Sequence, residues 1–307
     1  MKFFIAVTDN DWFTLLSLLQ PDEVNFWNPG GVGFKALLPG QPFLFKLHAP
    51  LNAIVGGGYF VRWVTMPLSL AWDAFGEKNG AESLGRLRDM INKRRKDAEP
   101  NPMIGCILLN QPFFWPRELW IPQPPEWSGN IVRGKSYDSR EAVGARIWQQ
   151  VEERLFVTAE ERVFDSHPEL GYAPVFGPDY LRKSRLGQGI FRTVVTDVYH
   201  RRCAVSGERT LPVLEAAHIK PVSASGVNRI DNGLLLRSDI HILFDKGYLT
   251  VTPEYRIEVS PRIHEEFENG GDYYRHHGKP LVVVPGAEPE RPAGEFLRWH
   301  NERVYRG

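Results

Sequence analysis

The sequence predicts an α+β fold in two parts. The first is a curved sheet or small barrel with inserted helices, and the second is a compact element of strands, loop and short helix. Three observations predict this. Strand-like runs rich in aromatics and glycine recur over the first 120 residues. A stretch without period, "DSHPELGYAPVFGPDY", separates the two parts. Beyond it the segment "EAAHIKPVSASGVNRIDNGLLLRSDIHILFD", residues 215–245, reads as buried structure yet carries His218, Asn232, His241 and Asp245 in order.

The elements follow in chain order. "KFFIAVT", residues 2–8, is a buried strand, and "NDWFTLLSLLQP" is a helix with Asn10 or Asp11 as cap and Pro21 beyond its end. "PFLFKLHA", "AIVGGGYFVRWVTM" and "MIGCILLNQPFFW" are strands. "ESLGRLRDMINKRRK" is a helix ending in a basic cluster. "SREAVGARIWQQVEERL" is a helix with Asp138 or Ser139 as cap, and Ala142, Ile147, Trp148, Val151 and Leu155 share one face. Residues 156–180 form the linker, so the domains are residues 1–155 and 181–307. The second opens with a helix from about residue 188. "CAVSGERTLPVLEAAHI" reads as two strands joined at Ser206 and Gly207, and a short helix spans residues 237–245. A hairpin, "YLTVTPEYRIEVS", and terminal helices close the chain.

Composition bounds the function. Apolar residues are 42% and charged residues 24% of the 307, the profile of a soluble globular protein. With 37 basic against 37 acidic residues, a nucleic-acid partner has to be met by local patches. Cys106 and Cys203 stand alone, which argues against a cysteine zinc site and a disulfide framework. "MKFFIAVTDNDWF" reaches Asp9 and Asp11 too soon for a signal peptide, and no apolar run approaches a membrane span. A cytoplasmic setting is the expectation.

The four residues near 240 suggest a metal-dependent hydrolytic site. His241 and Asp245 are four apart on a helix and share a face, so both can hold one divalent ion with positions left for water and substrate. His218 can take a proton from water near neutral pH. Asn232 can tie the loop to the hairpin backbone. Singly, each of these side chains reads better as an ordinary core or surface residue; order and spacing together favour a site. His264, His276, His277 and His300 lack such a context.

"AAHIKP" followed by "DNGLLLRSDIHILFD" resembles the HNH endonuclease motif of the ββα-metal fold, and "RLGQGIFRTVVTDVYHRRCAVSG" resembles the segment preceding that motif in one bacterial subfamily. The resemblance covers residues 181–250. It implies that His218 is the general base, that Asn232 is the central asparagine, and that His241 and Asp245 are the metal ligands, with Mg²⁺ or Mn²⁺ as the ion. Many members carry a ligand directly before the base; here that position is Ala217, which leaves Glu215 and Asn232 as candidates for a third ligand. Double-stranded DNA is the implied substrate, and two cuts imply a homodimer in a prokaryotic cytoplasm.

The first half is similar to the PUA superfamily, which includes EVE and SRA-type domains, on "MKFFIAVTDNDWF" and "PGQPFLFKLHAPLNAIVGGGYFV". That resemblance implies a reader that flips a modified cytosine, 5-methylcytosine or 5-hydroxymethylcytosine, into a pocket. Asp11, Trp12, Trp27 and Asn28 are the candidates for stacking and edge reading. Gly30, Gly31, Gly56, Gly57 and Gly58 are candidates for close backbone approach to DNA. Lys93, Arg94, Arg95, Arg182, Lys183 and Arg185 are candidate phosphate contacts, although a solvated helix end explains such runs equally well. A reader of unmodified sequence or of RNA, and a non-catalytic binding protein with a degenerate nuclease domain, stay open as alternatives.

Overall fold

A computed structural model describes residues 1–31, 33–163 and 185–307, without side chains for 159–163. The chain divides into two units, Met1–Tyr180 and Leu181–Gly307.

The first unit is built on seven strands: β1 (Lys2–Thr8), β2 (Glu23–Asn28), β3 (Pro42–Leu47), β4 (Ala53–Pro67), β5 (Met103–Phe114), β6 (Ile121–Pro122) and β7 (Gly134–Asp138). Their order is β2-β5-β4-β3-β1-β7, with β6 on β4. Only β1 and β3 run parallel. Helices α1 (Asn10–Leu19), α2 (Leu68–Phe75), α3 (Leu84–Asn92) and α4 (Ala142–Val163) complete the unit.

Successive strand residues point to opposite faces, and here both faces are buried. Phe43 and Phe45 enter a cluster with Trp12, Phe13 and Leu16 of α1. Leu44, between them, enters a second cluster with Ile147 and Val151 of α4. The sheet is therefore covered by α1 on one side and α4 on the other. Its curvature comes from β4, whose pairing with β5 shifts register at Gly57–Tyr59 and again at Phe60–Arg62.

The glycines of β4 serve this packing. A Cβ at Gly56 would lie 2.2 Å from the Phe113 carbonyl oxygen, and one at Gly57 would lie 2.7 Å from that of Phe43. They let strands approach strands, which corrects the expectation that Gly56, Gly57 and Gly58, all buried, face DNA.

Asp9 caps α1: its carboxylate accepts the backbone N–H groups of Asp11 and Trp12 at 3.0 and 3.2 Å. The cap is thus one residue before Asn10. Helix α3 ends at Asn92, so the basic run from Lys93 lies beyond it. Helix α4 continues past residue 155 to Val163; the rest of the expected linker, 164–180, lies outside the described residues. Among those residues no helix is long and apolar enough to cross a membrane.

The second unit holds α5 (Gln188–Val198), β8 (Leu214–His218), β9 (Gly233–Arg237), α6 (Ser238–Asp245), β10 (Leu249–Val251), β11 (Ile257–Val259), α7 (Arg262–Phe267), α8 (Gly271–Tyr274) and α9 (Gly294–Arg303). Strands β8 and β9 pair antiparallel from Leu214–Arg237 to His218–Gly233. The expected partner of β8, near Cys203, is instead a turn in which Gly207, at φ +74°, donates to the Cys203 carbonyl. The real partner lies across a 14-residue loop, 219–232. His218 accordingly ends the first strand of the hairpin. The overall class is α+β, as expected.

Candidate active site

Helix α6 fixes one half of the site by its phase. Ile240 and Phe244, four apart, are fully buried against the hairpin. His241 and Asp245, each one residue on, consequently emerge together on the neighbouring face. They line an open cleft of about 720 Å³ with Glu215, Ala216 and His218 from β8 and with Phe191 and Arg192 from α5.

His218 is held on two sides. Its ring stacks on Phe191, with centroids 4.1 Å apart and planes within 8°. Its Nε2 lies 2.8 Å from Asn228 Oδ1. The Asn228 amide donates through Nδ2 to the Leu186 carbonyl at 3.0 Å, which fixes its oxygen toward the imidazole. An amide oxygen only accepts, so Nε2 carries the hydrogen and Nδ1 keeps the lone pair of the neutral ring. Burial pushes the His218 pKa below its ordinary value, against the opposing effects of Asn228 and Asp245. The group is therefore neutral at pH 7, as a general base must be.

The second imidazole is spanned by two carboxylates. His241 Nδ1 lies 2.6 Å from Glu215 Oε2, and Nε2 lies 3.4 Å from Asp245 Oδ2. The Glu215 contact places the proton on Nδ1 and turns the Nε2 lone pair toward Asp245. Burial raises the Asp245 pKa, with His241 opposing.

Among the described residues, no three His, Cys, Asp or Glu side chains form a closed metal cage. The pair nevertheless fits a divalent ion: two donors each about 2.1 Å from a metal stand roughly 3.0–3.4 Å apart at right-angled to tetrahedral geometry, and His241 Nε2 and Asp245 Oδ2 are 3.4 Å apart. An imidazole nitrogen and a hard oxygen suit such an ion with its remaining positions open.

Asn232 plays another part than ligand. It is wholly buried, its Oδ1 accepts the Lys220 N–H at 2.9 Å, and its Nδ2 donates to the Lys220 and Val227 carbonyls at 2.9 and 3.0 Å. Both ends of the amide are spent on the loop that carries Asn228, which rules out the expected ligand role in this arrangement and leaves the tie. Ala217 is also fully buried and does not line the cleft, whereas Glu215 does.

Asn228 escapes the sequence reading, and His300, set aside there for want of a site context, has a structural part. Asn228, in a polar loop, looks like any turn asparagine; only the fold shows what it holds. His300 is 2% exposed, stacks on Phe244 with centroids 3.7 Å apart, and donates through Nε2 to the Phe244 carbonyl. Burial lowers its pKa to about 4. It is a core histidine that steadies α6.

The candidates of the first unit are mostly engaged. Trp12 is 2% exposed and edge-on to Phe26 and Phe45, so it is a core side chain and not a stacking platform. Trp27 packs against the same cluster, donates through Nε1 to the Asn79 carbonyl at 2.9 Å, and carries the Arg94 guanidinium 5.6 Å above its ring. Asn28 Oδ1 accepts the Gly30 N–H. Asp11 is exposed, 3.5 Å from Arg86. Arg94 pairs with Asp9, and Arg95 bonds the Pro29 carbonyl and Glu99. Lys93 is exposed. Arg185 is exposed; Arg182 and Lys183 lie outside the described residues.

Residues 203–252 match the family model described as HNH endonuclease. This segment is an HNH endonuclease domain, and the chain is a nuclease. No curated protein matches the chain. Among solved structures, a mutant ZmASCH protein from Zymomonas mobilis is 12% identical, with 48% of this chain and 98% of that one covered and a TM-score of 0.34. ASCH from Zymomonas mobilis is 14% identical over 38% of this chain and 76% of that one, with a TM-score of 0.27. The structure described as "Modification dependent TagI restriction endonuclease" is 13% identical over 92% of this chain and 76% of that one, with a TM-score of 0.29.

Proposed function

We propose that this protein is a modification-dependent DNA endonuclease of the prokaryotic cytoplasm, in which a PUA-like reader in the first unit, ending with α4 at Val163, directs the HNH domain of residues 181–307. The observation that carries the nuclease half is the single cleft lined by His218, with its lone pair fixed at Nδ1, and by the His241–Asp245 pair.

His218 takes the proton from the water that attacks the scissile phosphorus. Phe191 and Asn228 keep its ring in one orientation, so no reorganisation is needed when the proton moves. Asn232 holds the 219–232 loop and thereby Asn228. Glu215 orients His241. A divalent ion, Mg²⁺ or Mn²⁺, held by His241 and Asp245 would supply charge stabilisation for the phosphate and its leaving oxygen.

In the reader, Trp27 beside Asn28 is the remaining stacking candidate. Entry of a flipped 5-methylcytosine or 5-hydroxymethylcytosine there requires Arg94 to leave the ring and meet a phosphate instead. Lys93, Arg95, Arg182, Lys183 and Arg185 are further candidate phosphate contacts. A double-strand cut needs two such sites, so the working form is a homodimer, formed in solution or on DNA.

The test is incubation of the protein with plasmids that are unmodified, 5-methylated or 5-hydroxymethylated at cytosine, in Mg²⁺ or Mn²⁺, with and without chelator. Chelator-sensitive cutting confined to one modified form is expected. Equal cutting of all three removes the modified-base reader and leaves the nuclease, whereas no cutting of any removes the nuclease reading.

A further inference from the structure

We propose that Arg192 is a catalytic residue that grips a non-bridging oxygen of the scissile phosphate, with Gln188 one helical turn before it as a second donor. The inference rests on the nuclease reading and extends it to α5, which lies outside the family match at residues 203–252.

The cleft presents a charge problem. Glu215 and Asp245 line it together with His218 and His241, and the substrate brings a phosphodiester anion. Two carboxylates repel that anion, and one divalent ion offsets them without a surplus of charge for the phosphate. Among the described residues, Arg192 is the only lysine or arginine that lines the cleft. It is exposed, and its guanidinium has no hydrogen-bond or ion-pair partner among the described residues. That is unusual beside two carboxylates, neither of which lies within ion-pair distance of it. The side chain is therefore not spent on neutralising them.

Its placement is set by packing. The preceding residue, Phe191, is buried and stacks face to face on His218 at 4.1 Å, which locks the helix, and with it the base of the Arg192 side chain, against the general base. Gln188 is four residues earlier, lines the same cleft and is exposed, again without a partner among the described residues. Residues four apart share a helix face. A guanidinium and an amide on one face offer a planar fork and a second donor, which match the non-bridging oxygens of a phosphate.

The experiment compares wild type, Arg192→Gln, Arg192→Lys and His218→Ala. Cleavage is measured under single turnover, and affinity for the same duplex is measured in chelator over a salt series. Both Arg192 variants alter an exposed side chain and should melt with the wild type. Arg192→Gln is expected to lower the cleavage rate at saturating protein by 100-fold or more, with affinity changed less than about fivefold. The slope of log affinity against log salt should fall by about 0.9, one phosphate contact. Arg192→Lys should recover part of the rate and all of the slope. His218→Ala should abolish cutting and leave the slope intact. An Arg192→Gln protein that cuts within threefold of wild type with an unchanged slope overturns the assignment while the nuclease stands. A wild type that cuts no DNA overturns the nuclease reading, and the salt slope still decides whether Arg192 meets phosphate.

Discussion

Replacing Asn228 by aspartate tests how the base is held. In the wild type, a neutral amide oxygen accepts from His218 Nε2 at 2.8 Å, and burial keeps the ring below its ordinary pKa. Asn228→Asp is nearly isosteric but places a negative charge at that oxygen. Charge centres about 4 Å apart interact by roughly 4 kcal/mol at an effective dielectric of 20. Open access of water from the cleft reduces this, so a rise of about 1–3 pKa units is expected, as for other close opposite charges. The sign follows directly. A base works when unprotonated, so the acid limb of the cleavage rate should lie below about pH 6.5 in the wild type and move to higher pH in the variant. On the acid side of both limbs the variant should cut about tenfold or more slowly, and at pH 9 it should recover most of its rate. The assay is single-turnover cleavage from pH 5 to pH 9 at constant ionic strength, with DNA binding measured at each end. An acid limb that stays in place, or a wild-type limb above pH 7.5, would refute His218 as a base held neutral by burial.

Other perturbations read other parts of the site. His300 titrates at about 4 in the fold against an ordinary 6.5, so the unfolded chain takes up a proton that the folded chain refuses. Stability should fall by about 3 kcal/mol in total as pH drops from 6.5 to 4, and His300→Gln should flatten that part of a melting-temperature profile. Asn232→Ala leaves the Lys220 N–H and the Lys220 and Val227 carbonyls without the buried amide, a loss of about 2–4 kcal/mol by the usual cost of such bonds; chemical denaturation should show it, with cutting slowed because the loop no longer fixes Asn228. Asp245→Asn and His241→Ala should each weaken Mn²⁺ binding in calorimetry by about tenfold or more and reduce cutting at least as far, with melting temperatures near that of the wild type because both side chains lie on the open face of α6.

Much of the site was legible because its information is local. The spacing of His241 and Asp245 sets them on one face of a short helix whatever surrounds it, and the apolar Ile240 and Phe244 fix which face turns inward. Strands β1, β3, β4 and β5 are legible for the same reason, since an unbroken apolar run such as Phe43, Leu44 and Phe45 marks a sheet buried on both sides, whereas β2, β6 and β7 are absent from the sequence reading. What was missed is non-local. The sequence pairs β8 with the nearest strand-like run, near Cys203, but the true partner lies beyond a loop whose course depends on Asn232. Trp12 has the composition of a stacking residue and the position of a core one, and only the closure of β3 over α1 separates the two.

The absence of a ligand-bearing side chain before the base has a physical explanation in the same terms. Ala217 is packed into the hairpin with no exposed surface, so a carboxylate there would be buried without a partner. The strand instead offers Glu215, which lines the cleft and bonds His241 Nδ1 at 2.6 Å. A carboxylate at that position acts on the imidazole and not on the ion: it fixes the proton at Nδ1 and makes Nε2 a better donor. On the proposed reading the site would keep His241 and Asp245 as its two direct ligands, with His241 the stiffer for its Glu215 contact. Glu215→Gln, which retains an acceptor but removes the charge, should weaken metal binding less than His241→Ala does, whereas a carboxylate that bound the ion directly would make the two losses alike.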